Sequence, residues 1–81
     1  MSKRKLIALL QDIINEIDRI NRFTHGKNYQ NFVEDDKTQY AVIRCLEIIG
    51  EAVKNIPNSV KLKYKNIDWR KIAGLRDILI H

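Results

Sequence analysis

Two long runs of apolar residues at helical spacing constrain this chain more than anything else in it. In the first, Leu6, Leu10, Ile13, Ile17 and Ile20 recur at intervals of three and four, with Ile7 and Ile14 widening the stripe. In the second, Val42, Leu46, Ile49, Val53 and Ile56 do the same, with Ile43 and Ala52 beside them. This period matches the turn of an α-helix and excludes a strand, which alternates every two residues. Two amphipathic helices cannot bury their stripes alone, so they must pack against each other. The fold class that follows is all-α, and 81 residues allow one domain, residues 1–81.

The helix limits can be read from their ends. The first helix is expected from about Lys3 to Arg22, with Gly26 as a stop just past it. Residues 27–34 form a polar connector, expected to make a short helical turn whose Tyr29, Phe32 and Val33 tuck under the bundle. Asp36 is the expected cap of the second long helix, with Gln39 three residues on in a near-capping box, and Pro57 ends that helix after Ile56. A short helix should follow over Pro57 to Lys65. Asp68 then caps a last helix from Trp69 to His81, with Trp69, Ile72, Leu75 and Leu79 on its inner side.

A chain this short has a marginal core. Cys45 is its only cysteine, so it has no disulfide, and one Cys with two His cannot build a structural zinc site. Cys45 lies on the apolar side and reads as a small core filler. No cofactor or metal is expected, and dimerisation or a partner is the remaining source of stability. No apolar run reaches the roughly 18 residues of a membrane span. The basic start and short apolar stretch to Leu10 lack the length and cleavage site of a signal peptide, so a cytoplasmic protein is expected.

The net charge is +5, from fifteen Lys/Arg and ten Asp/Glu. That balance raises the case for a polyanionic partner, although basic residues spread along the chain also serve plain solubility.

Three features depart from what stability alone would choose. Gly50 stands inside the second long helix, where it costs about 1 kcal/mol relative to Ala. With Gly74 it reads as the mark of a close helix crossing. Glu47 and Glu51 lie four apart on one helix face and repel, with Arg44 and Lys54 three residues to either side. They form either a compensated, solvated face or a polar cleft wall that positions something basic. Finally, Arg76 and His81 stand five apart at the end of the last helix. At 3.6 residues per turn they do not share a face, so one helix cannot aim both at one phosphate. Either a distortion or a second helix completes such a site, or Arg76 is simply an exposed cation near a helix C-terminus and His81 has no role.

The stretch from Asp36 to Ala52, with Glu47-Ile48-Ile49-Gly50-Glu51-Ala52, and the stretch Ile67-Asp68-Trp69-Arg70-Lys71-Ile72-Ala73-Gly74-Leu75-Arg76-Asp77-Ile78-Leu79-Ile80-His81 resemble the HepT-like proteins of the HEPN superfamily. The match runs in order over nearly the whole chain. The resemblance implies a homodimeric up-down helical bundle in which Arg76 and His81 of both copies meet in a cleft across the two-fold axis. It implies the toxin subunit of a toxin–antitoxin pair, a metal-independent endoribonuclease whose antitoxin partner is an MNT-type minimal nucleotidyltransferase. On that resemblance His81 is the general acid or base and Arg76 holds the phosphate. Asp77, where the family more often has Asn, orients one of them or repels the phosphate. Arg44, Glu47 and Glu51 are supporting residues. The resemblance also implies a further C-terminal helix and a modifiable Tyr two residues after the His. A non-catalytic binding subunit of a nucleotidyltransferase complex, and a plain helical dimerisation module, are the competing readings.

Overall fold

In a computed structural model, which describes residues 1–75, the chain forms five helices: α1 (Lys3–Thr24), α2 (Tyr29–Glu34), α3 (Asp36–Lys54), α4 (Asn58–Lys63) and α5 (Trp69–Ala73). No strand occurs among the described residues. The order is the all-α succession that the two apolar stripes require.

α1 starts on Ser2, whose side chain accepts from the Lys5 backbone N–H at 3.2 Å. It ends where Gly26 takes a left-handed conformation at φ +73°, which a side chain would resist. α1 and α3 form the main helix pair, and α2 and α5 pack on α3. The core lies along α3: Val42, Cys45, Ile49, Ala52, Val53 and the following Ile56 are all buried. Burying an aliphatic side chain of this kind stabilises by roughly 1.5–3 kcal/mol, so α3 organises the fold.

The apolar stripe of α1 is turned from its expected bearing. Leu6, Leu9, Ile13, Glu16 and Ile20 form its inward arc, half-buried or buried. Leu10 and Ile17, expected inside, are 40% and 47% exposed, and Ile7 and Ile14 are exposed beside them. The stripe is wider than α3 can cover, and α1 settles with one edge of it inward.

Several ends differ in detail. Asp35, not Asp36, caps α3: its carboxylate accepts from the Thr38 backbone N–H at 3.1 Å and from the Thr38 hydroxyl at 2.6 Å. Gln39 does not complete a box. Its amide donates to the carbonyls of Phe32 and Val33 at 2.9 and 2.7 Å, tying the end of α2 to the start of α3. Phe32 tucks in as expected, but Tyr29 and Val33 are exposed, because six residues of helix have only one inner face. α3 closes at Lys54, two residues before Ile56, where the Asn55 side-chain amide donates to the Glu51 carbonyl at 2.9 Å. Pro57 then precedes α4 as its N-cap.

Asp68 caps α5 as the sequence implies, accepting from the Lys71 N–H at 3.0 Å. The close crossing is present, but its partners are Gly50 and Ala73. A Cβ on Gly50 would stand 3.0 Å from the Ala73 carbonyl oxygen, tighter than ordinary van der Waals contact. Gly74 instead follows α5 as its C-cap, with its N–H directed at carbonyls of α5.

Candidate functional site

Arg76, Asp77 and His81 lie outside the described residues, so the site is built here from what leads to them and from the supporting side chains. The lead-in is α5. Its first residue, Trp69, donates through Nε1 to the carbonyls of Lys61 and Tyr64 at 3.3 and 3.2 Å, which seats the start of α5 against the end of α4. Four residues on, Ala73 meets Gly50, about one turn before the end of α3. α5 therefore runs back along α3, and two fixed points set its direction just before Arg76.

Arg44, Glu47 and Glu51 are brought together, as one wall of a cleft of about 330 Å³ between α1 and α3. Leu9, Ile48 and Ala52 supply its apolar surface, and Asp12 and Asn55 its remaining polar groups. Arg44 Nη1 stands 3.7 Å from Glu47 Oε2, a loose pair that leaves Arg44 well exposed. Such a pair contributes little to stability in water. The cleft thus holds three carboxylates and one guanidinium, a lining suited to a cationic group. These residues are reached by solvent, and they line a concavity. Among the described residues no three His, Cys, Asp or Glu side chains gather as a metal site.

Asp12 was not legible as a cleft residue, because only the α1–α3 packing places it opposite α3. Glu16 was missed for a sharper reason. It is 5% exposed, on the inward arc of α1, where an amphipathic reading puts only apolar residues. Arg19 pairs with it one turn on. That i,i+3 acid–base pair inside an apolar stripe was the available signal. Burial pushes the Cys45 thiol up, and a hydrogen bond with the Glu16 carboxylate pushes it further. A thiol held protonated and buried is inert, which agrees with a packing role.

At the other end of the bundle, Lys27 Nζ stands 2.9 Å from Asp35 Oδ2. The Thr38 hydroxyl, then Lys27, then the Thr38 backbone N–H hold the Asp35 carboxyl well below the usual carboxylate range. This is a structural clamp between the α1–α2 turn and α3.

Residues 13–81 match the model of the family described as ribonuclease HepT-like. A Methanocaldococcus jannaschii protein named "putative RNase" is 48% identical over all 81 residues, which cover 70% of its own length. A Thermococcus cleftensis protein named "probable ribonuclease HepT" is 51% identical over 79 residues, 98% of this chain and 72% of that protein. No solved structure matches the chain.

Proposed function

The chain belongs to the ribonuclease HepT-like family, and from that premise we propose that it is the toxin subunit of a HEPN/MNT toxin–antitoxin pair, cutting RNA without a metal. Similarity along the whole chain to relatives named as RNases is the observation that carries this reading.

In the proposed reaction His81 takes the proton of a ribose 2′-hydroxyl. The 2′-oxygen attacks the adjacent phosphorus, the bond to the 5′-oxygen breaks, and that oxygen leaves with a proton. A cyclic phosphate remains on one fragment. Imidazole suits both proton transfers because it titrates near neutral pH. Arg76 holds the phosphate and offsets the charge that grows on its oxygens. Asp77 lies beside Arg76 in sequence and orients one of the pair or repels the phosphate. On the same reading, which follows the family resemblance, a homodimer brings Arg76 and His81 of both copies together to complete the site. A further C-terminal helix belongs to the same reading. The outer stripe Ile7, Leu10, Ile14 and Ile17 is the uncovered apolar face that such a helix would fill.

The test is chemical. RNA cut by the protein should carry a cyclic phosphate end, and replacing the target 2′-hydroxyl with hydrogen should block cutting. Arg76→Ala and His81→Ala should each abolish it. Cleavage that survives 2′-deoxy substitution contradicts the mechanism.

The acid-lined cleft favours a second reading, a non-catalytic subunit that binds a nucleotidyltransferase through Asp12, Glu47 and Glu51. A Glu47→Ala, Glu51→Ala double variant that keeps full affinity for such a partner would remove the support for that reading.

A further inference from the structure

We propose that the corner formed by α4 and α5 is the surface on which this chain holds the phosphate backbone of single-stranded RNA. The inference rests on the ribonuclease reading and extends it to residues outside the Arg76–His81 pair.

The charge of the chain is not distributed as its sequence suggests. Residues 1–56 carry nine Lys/Arg and eight Asp/Glu, close to balance. Residues 57–75 carry five cations, Lys61, Lys63, Lys65, Arg70 and Lys71, and one acid, Asp68. That acid is occupied in capping α5. The Trp69 indole joins the two segments that carry the five cations: its hydrogen bonds to the Lys61 and Tyr64 carbonyls seat the end of α4 on the start of α5, where Arg70 and Lys71 follow. Lys63, Lys65, Arg70 and Lys71 are exposed, and Lys61 is half-buried.

None of the five makes an ion pair among the described residues. In the first 56 residues Arg19, Arg22, Lys27 and Arg44 each have a carboxylate partner, whereas Lys3, Arg4, Lys5, Lys37 and Lys54 have no ion pair among the described residues but stand among eight acids rather than one. Gathered cations without counter-charges repel one another, and a polyanion relieves that repulsion while releasing its own counterions. Tyr64 stands between Lys63 and Lys65 and is 49% exposed. An aromatic face beside backbone-tracking cations is the pattern that binds single strands, since every base can stack.

The test is binding of a short fluorescent single-stranded RNA to the His81→Ala chain across a salt series. It is compared with a Lys61→Gln, Lys63→Gln, Lys65→Gln triple variant and an Arg70→Gln, Lys71→Gln double variant, each verified as helical by circular dichroism. The triple variant should lose affinity about tenfold or more and lower the slope of log affinity against log salt by about 2, since each single-strand phosphate contact contributes roughly 0.7. Tyr64→Ala should lose affinity with the slope unchanged. Unchanged affinity and slope in both charge variants would overturn the proposal. So would native chain that binds phosphatidylserine vesicles or polyglutamate tightly while RNA fails to compete. The two readings fail separately: RNA that is bound here but never cut refutes only the nuclease, and His81-dependent cutting with undiminished binding by the charge variants refutes only this surface.

Discussion

The α1–α3 pair and the α4–α5 corner are made from opposite resources. The first is apolar inside and nearly balanced in charge outside, and four of its cations, Arg19, Arg22, Lys27 and Arg44, have carboxylate partners along the helix or across a turn. The second is tied within itself by the Trp69 indole, meets α3 at the Gly50–Ala73 crossing, and carries five cations with no ion pair among the described residues. The contrast indicates that α1 and α3 supply the stability, while the short elements after Pro57 are free to hold charge that stability would not choose. A segment with few buried contacts can be given an electrostatic task without cost to the core.

Changes on the α3 side should show the largest effects. Ile49→Ala removes a fully packed side chain and should cost about 2–5 kcal/mol, read as a fall in the urea midpoint. Gly50→Val tests the junction between the two regions. Its side chain must push Ala73 away, so it should cost about 1–3 kcal/mol and loosen α5, seen as a shift in Trp69 fluorescence. If Gly50→Val left both readings unchanged, the crossing would not hold α5. Neutralising Lys61, Lys63 and Lys65 should sharpen the comparison from the other side, with a large loss of RNA affinity and a stability change within about 0.5 kcal/mol. Cys45→Ala should stay within about 1–2 kcal/mol, and the native thiol should resist alkylation until the chain unfolds.

The smallest effect is at the α1–α2 turn. A carboxyl held below its unfolded value stabilises the fold when ionised, and that contribution is lost as pH falls below about 4. Stability should therefore drop on acidification, and an Asp35→Asn variant should drop less over the same descent in a urea titration repeated at each pH.

The existence and order of the elements were legible because the 3.6-residue period, Pro57 and Asp68 are local signals. The orientation of α1 was not. Leu6, Ile7, Leu10, Ile13, Ile14, Ile17 and Ile20 make a stripe too wide to say which edge turns inward, and only packing against α3 decides it. The cap of α3 could not be chosen between two adjacent aspartates, Asp35 and Asp36. At the candidate site, the grouping of Arg44, Glu47 and Glu51 followed from helix spacing, whereas Asp12 joins them only in three dimensions. The buried Glu16 contradicts the amphipathic rule that made the helix readable. The basic corner is hidden in sequence because Lys61, Lys63 and Lys65 look like scattered surface charge, and only the Trp69 indole joins their segment to the one that carries Arg70 and Lys71.

The central claim is that this chain cuts RNA through His81 without a metal. The most direct measurement is incubation of purified protein with a structured RNA in excess chelator, alongside the His81→Ala variant. The native protein should cleave the RNA and the variant should not. Cleavage that stops when chelator is added, or that continues in His81→Ala, would contradict it.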